Sequence, residues 1–323
     1  MVFGIGALCL ALYKLSDVVL LIFGAVLVGV AMRAIAKSLH SETSMSERVS
    51  ILAAVVGIVG FIGLITYLFG SKISDQLSSL TIDLPEASKR LAEAVPFAKV
   101  VSDSSVGALI SNALSWGTTI FGAAAALVLV LVGGIYLALD PQRYKRGFLI
   151  LFPEARRPLI ETTLDDAGAA LRLWLGSQLL AMAIVGVMTT VGLMLVGVPS
   201  ALALGVIAGG LEFVPMIGPV LAAIPALLLA STQDWQTVGW TLAVFVVVQQ
   251  IENNLLMPLL VGRAAGVAPA VGLFAVVGIG VLFGPLGLLL GYPLAIVADV
   301  AVRKLYVRET LGEDVDIPGR TAR

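Results

Sequence analysis

The sequence predicts an all-α polytopic membrane protein, with about six transmembrane spans, two broken re-entrant helical hairpins and a short helical external arm. Three observations carry this. Hydrophobic residues make up 59% of the 323 positions and charged residues only 13%, where soluble domains run nearer a quarter charged. Mean hydropathy is +1.03. Between positions 173 and 302 only five residues are formally charged, and two of them, Glu212 and Glu252, sit inside apolar stretches beside proline and glycine breaks. A carboxylate in hydrocarbon is expensive, so such groups face a protein interior or a water-filled path and mark function.

Composition also removes several classes. A formal net charge of -1 argues against a nucleic-acid partner, since neutralising phosphates needs a clustered basic surplus. One cysteine, Cys9, and one histidine, His40, make a Cys/His metal site or a Cys/His catalytic pair a poor expectation. No cofactor or metal is expected. The chain has no His-Glu-x-x-His and no Gly-x-Ser-x-Gly, so an enzyme is not expected either. The apolar N-terminus lacks a basic leading region and an Ala-x-Ala-like exit, which reads as a retained span and not a signal peptide.

A span needs about 20 apolar residues. The N-terminal region 1-69 offers 18-32 and 49-69, preceded by 2-13, which at 1.5 Å per residue reaches only about 18 Å. An external helical arm at 70-115 follows, then a span at 116-139, a cytoplasmic amphipathic segment at 140-172, a transport core at 173-302 and a cytoplasmic tail at 303-323. Lys and Arg set the orientation. Arg33, Lys37 and Arg48 mark one loop, Arg143, Lys145, Arg146, Arg156, Arg157 and Arg172 another, and Arg303, Lys304 and Arg308 the tail. All three are expected in the cytoplasm, placing the chain in a prokaryotic inner membrane with its C-terminus inside.

Within the core, 173-198 and 240-260 are expected to cross. The stretch 200-230 is broken at Phe213-Val214-Pro215-Met216-Ile217-Gly218-Pro219, leaving two pieces of roughly 20 Å each. Neither crosses a 30 Å core comfortably, so they predict a hairpin whose broken backbone is buried in protein. The stretch 267-302 is split at Phe283-Gly284-Pro285-Leu286-Gly287, a second hairpin from the opposite face or, alternatively, two short spans. Secondary transporters build midplane sites from such broken helices.

In the arm, Ile73, Leu77, Leu80, Leu84, Ala87, Leu91 and Ala94 alternate at four and three, the pattern of a helical seam. That seam suits subunit contact, an external flap or helices lying on the bilayer. In the cytoplasmic segment Ile160, Leu164, Ala167, Leu171 and Leu175 form a stripe, which reads as an interfacial helix with Trp174 at headgroup level. Asp140-Pro141 ends the preceding span, because proline cannot continue a helix. Asp299 lies one turn before Arg303, the spacing of an ordinary ion pair.

The polar run Gln249-Gln250-Ile251-Glu252-Asn253-Asn254, followed by Pro258, Gly262 and Arg263, closes an otherwise apolar span. Five polar side chains in six positions cannot face lipid cheaply. At helical spacing Gln249, Glu252 and Asn253 share a face, while Gln250 and Asn254 fall toward another. Glu252 can accept a proton or ligate a cation, the amides can hydrogen-bond a polar solute, and Arg263 can serve as counter-charge or snorkel to the interface. Glu212, before the Pro215/Gly218/Pro219 break, either joins this site or caps the freed N–H groups of its own hairpin. Gly205/Gly209, Gly280/Gly284 and Gly287/Gly291 are spacings that allow close helix approach.

Asp140-Pro141, Gly197-Val198-Pro199, the Phe213 to Pro219 break, the Gln249 to Asn254 run with Pro258, Pro269 and the segment from Gly284 to Pro293 together resemble the AI-2E (autoinducer-2 exporter) transporter family. The resemblance covers nearly the whole chain and is strongest from Asp140 onward. It implies an inner-membrane secondary transporter and a homo-oligomer, with a pentamer as the family's form; autoinducer-2 export is proposed for some members and cation/proton antiport for others. The family's Phe-Ile-Pro-Tyr-Ile-Gly reads Phe213-Val214-Pro215-Met216-Ile217-Gly218 here, losing a tyrosine hydroxyl. The first span is shorter than in the family and the arm is compact.

Three functions follow as expectations. The first is an ion- or proton-coupled exporter of a small polar solute such as autoinducer-2, with Glu252 as coupling group. The second is a monovalent cation/proton antiporter using Glu212 and Glu252 as ligands. The third is a scaffold that transports nothing, with the arm and tail as its working surfaces.

Overall fold

A computed structural model describes residues 15–42, 46, 49–57, 60, 120–260 and 267–319. The expected element at 2-13, the arm with its Ile73 to Ala94 seam, and Arg263 lie outside these residues, as does most of the span at 49-69. Every regular element among the described residues is helical. In order they are α1 (Ser16–Glu42), α2 (residues 49–57), α3 (Ile120–Leu139), α4 (Pro141–Leu149), α5 (Arg157–Val196), α6 (Ala201–Leu211), α7 (Gly218–Ser231), α8 (Trp235–Ile251) and α9 (Pro269–Ala301). α8 continues through a wide π turn, Glu252–Leu256, into Met257–Leu260, and α9 continues through another, Val302–Arg308.

Four stretches are long and apolar enough to cross a bilayer: Asp17–Lys37, Glu154–Val196, Trp235–Leu259 and Ala270–Arg308. The bent pair Ala126–Leu139 and Pro141–Leu149 adds a fifth if it counts as one. Six spans are therefore not reached among the described residues. The last of the four, moreover, is not a straight rod. Gly284 has φ 65° and ψ -148°, a conformation essentially confined to glycine. A Cβ built on Gly291 would lie 2.8 Å from Val276 Cα, and one on Gly272 would lie 2.6 Å from the Tyr292 ring. In a straight helix Val276 and Gly291 would stand about 22 Å apart along the axis. The chain therefore reverses at Gly284, as both the hairpin and the two-span readings of this stretch require, with Pro285 opening the return arm of α9 and Gly287 packed against Ile279.

The chain divides into two compact units, one comprising Met1–Val59, Ala125–Gly176 and Val261–Arg323, the other Gly60–Ala124 and Ser177–Leu260. α5 contributes its first half to one and its second half to the other. In the first unit Met32, Ala36, Ile51, Ala54 and Ala138 form a core. α1 and α3 approach closely there, because a Cβ on Gly134 would fall 2.7 Å from the Val28 side chain. The apolar stripe of α5 is not laid on an interface: Ala167, Leu171 and Leu175 are buried. Trp174, expected at headgroup level, is only 2% exposed and stacks on Tyr292 of α9 at 5.7 Å. What covers the stripe is protein. The tail folds back so that Gly319 presses on Asp166 and Ala170, Ile317 is buried, and the buried Lys304 pairs with Asp166. Asp299 and Arg303 make the expected ion pair at 2.8 Å.

In the second unit Leu193, Leu204, Ala226 and Leu229 belong to the core that joins α5, α6 and α7. The first hairpin is present as expected: α6 and α7, of 11 and 14 residues, reach about 16 and 21 Å. Their glycines serve packing. Gly209 sits against Gly186 of α5 with Cβ room of 3.0 Å. α8 begins at Asp234, whose side chain accepts from the Thr237 N–H at 2.7 Å, the N-cap arrangement that Asp favours.

Candidate functional site

The break in the first hairpin follows from its residues. Glu212 ends α6, Pro215 sits in the turn, Met216 adopts φ 70°, and Pro219 restarts the helix one residue after Gly218. A Cβ at Gly218 would stand 2.1 Å from the Leu211 carbonyl oxygen, so only glycine lets the chain cross itself there. Gln178 of α5 donates from its amide to the Glu212 carbonyl. This fixes the end of α6 and, with it, the direction of the Glu212 side chain.

That side chain is completely buried. It shares a small cavity with Glu252 and Gln249 of α8, Thr189 and Val185 of α5, and Pro219 of α7. The Glu212 and Glu252 carboxyls are direct neighbours. Gln249 Nε2 donates to Glu252 Oε2 at 3.0 Å. Neither oxygen of Glu212 receives a hydrogen bond, nor does the Thr189 hydroxyl find a partner. Glu212 therefore does not cap its own hairpin. The cavity measures about 10 Å³, room for roughly one water-sized species.

The polar run on α8 splits. Gln249 and Glu252 enter the cavity, whereas Gln250, Asn253 and Asn254 are exposed. Asn254 Nδ2 instead donates to the Gln250 carbonyl and amide oxygens, at 2.9 and 3.1 Å. Asn253, expected on one face with Gln249 and Glu252, is exposed instead: one residue past Glu252 it stands about 100° round the helix and does not line the cavity. Two site residues were not anticipated: Thr189 and Gln178, single polar groups on an apolar helix face. The signal available was their spacing, since Gln178, Val185 and Thr189 recur at seven and four and so share one side of α5.

Comparison with known proteins agrees with this architecture. A family model for AI-2E family transporters matches residues 1–306. The chain belongs to that family. YueF of Bacillus subtilis (strain 168), named as a transport protein, is 25% identical over 276 residues, covering 78% of this chain and 75% of its own. YrrI of the same organism, also named as a transport protein, is 32% identical over 165 residues, or 51% of this chain and 47% of its own. TqsA of Escherichia coli (strain K12), named as an AI-2 transport protein, is 33% identical over 102 residues, or 31% of this chain and 29% of its own. The AI-2E family and these relatives are all named as transport proteins. As a family member with several long apolar helices, the chain is a multi-pass membrane transporter.

Proposed function

We propose that this AI-2E family member is an ion- or proton-coupled secondary transporter, that it exports a small polar solute of the autoinducer-2 kind, and that Glu252 with Glu212 is its coupling station. The observation behind this reading is the pair of adjacent buried carboxyls. Two unit charges about 4 Å apart repel by about 4 kcal/mol at an effective dielectric of 20. Ionised carboxylates can only accept hydrogen bonds, and a single amide, from Gln249, serves the pair. A shared proton or a bound cation relieves both problems. Since the pair sits where the hairpin breaks, movement of α6 and α7 would open it to one side. The exposed Gln250 and Asn253, at the same end of α8, are then the groups that meet the solute.

A second reading is a monovalent cation/proton antiporter, and the size of the cavity favours it. Space for one water-sized species takes a cation, but a sugar-sized solute needs a larger opening. The chain's place in an inner membrane, its cytoplasmic C-terminus and a homo-oligomer, with a pentamer as the form, belong to the same proposal.

The test is flux in proteoliposomes under an imposed pH gradient. Lumenal pH is recorded with Na⁺ or K⁺ alone, then with autoinducer-2 loaded inside. Autoinducer-2 efflux that collapses in Glu252→Gln supports the exporter, and a cation-driven pH change without solute supports the antiporter. If Glu252→Gln leaves flux and its pH dependence unchanged, the coupling role is wrong.

A further inference from the structure

The transport reading makes no use of α4. This helix leaves α3 at 90°, so where α3 crosses the bilayer, α4 runs along its surface. Asp140 caps it, accepting from the Arg143 N–H at 3.2 Å, and Pro141 fixes its first turn.

At 100° per residue the side chains sort onto three faces. Lys145 and Leu149 point into the protein. The Lys145 ammonium meets Asp165 at 2.8 Å and Glu161 at 3.0 Å on α5, and Leu149 is buried. Burial alone would lower Lys145, but hydrogen bonds and charge from Asp165 and Glu161 outweigh it and hold the ammonium above its ordinary value. These ties prevent the helix from rolling. Tyr144 and Phe148, at i and i+4, form a second face and are exposed, as is Leu151 in the turn just past the helix, at 76%. Arg143 and Arg146 stand on a third face, about 150° from Tyr144 and Phe148 on the helical wheel. Both are exposed, and no carboxylate pairs with either among the described residues.

We propose that α4 is an in-plane anchor that binds the headgroup of an anionic phospholipid. Arg143 and Arg146 hold the phosphate, and Tyr144, Phe148 and Leu151 seat in the boundary with the acyl chains. The argument is one of complementarity. A helix with an apolar face, a cationic face and a fixed roll angle matches the layered polarity of a lipid surface. Its free guanidiniums pair with phosphate through parallel N–H donors. This inference does not depend on what the protein transports.

The experiment compares the full chain with the Arg143→Gln/Arg146→Gln variant. Both are reconstituted in nanodiscs of phosphatidylcholine containing some phosphatidylglycerol, and lipids retained after release into detergent are counted by native mass spectrometry. Each arginine near an anionic surface is worth roughly fivefold in affinity, so both together should lower phosphatidylglycerol affinity about 25-fold. A melting temperature equal to the parent's shows that the variant is folded, as expected for two exposed side chains. Phe148→Ser provides a second reading and should weaken retention without changing charge. Equal retention of the two lipids by the parent, or undiminished phosphatidylglycerol in the double variant, overturns the proposal.

Discussion

Glu212 is buried with no donor to either carboxylate oxygen, and a buried acceptor left unmade costs about 1–3 kcal/mol. Such strain persists where function needs it. Glu212→Leu, which fills similar space without the polar atoms, should therefore raise the melting temperature by the equivalent of about 1–3 kcal/mol while abolishing coupled flux. Thermal unfolding and proteoliposome flux on the same preparation check this, and a less stable variant would contradict it. The sequence made Glu212 and Glu252 conspicuous as charges in apolar surroundings. It did not reveal that they adjoin one another, because their separation along the chain says nothing about how α6 and α8 pack. Asn253 illustrates the opposite error, for helical spacing grouped it with Glu252 and the packing of α8 leaves it exposed, outside the cavity.

At the scale of elements, caps and ties set the limits of stability. The Thr237 backbone N–H holds the Asp234 carboxyl below its ordinary range. A depressed carboxylate stabilises the fold above its unfolded pKa, and that contribution fades as pH falls through the folded value. The difference in melting temperature between the parent and Asp234→Ala should therefore be full at pH 6 and shrink below about pH 4. Melting curves across that range show it, and a difference independent of pH would exclude the cap as its cause. In the first unit the buried Lys304 pairs with Asp166. Breaking a buried pair on one side costs about 3–5 kcal/mol, so Asp166→Asn should lower the melting temperature markedly. Adding Lys304→Met should restore much of it. Asp140-Pro141, Gly218-Pro219 and Gly284-Pro285 were legible as boundaries, since proline and glycine act through the backbone alone. The stripe on α5 was legible as apolar, but not its partner.

At the scale of the whole molecule, the reversal at Gly284 decides the topology. A Cβ built on Gly280 lies 3.4 Å from Leu288 Cβ, close to the separation a disulfide requires. In a straight helix the two residues would be about 12 Å apart along the axis. Gly280→Cys with Leu288→Cys, in a Cys9→Ser background, should therefore cross-link readily under mild oxidation. Mass spectrometry of the proteolysed product reads the bridge, and its absence would restore a single continuous span.

Composition and hydropathy by themselves determined that this chain is an all-helical membrane protein with interrupted helices, and its motifs determined the family. These signals are local, because hydrophobic runs, charge placement and Pro/Gly breaks act within a few turns of where they stand. Only the tertiary structure decided that Glu212, Glu252, Gln249 and Thr189 share one cavity. Only it decided that the tail, rather than lipid, covers α5 at Asp166 and Ala170. Both outcomes depend on which helix faces meet across long stretches of chain, and that is set by the closeness of approach that side-chain volumes permit.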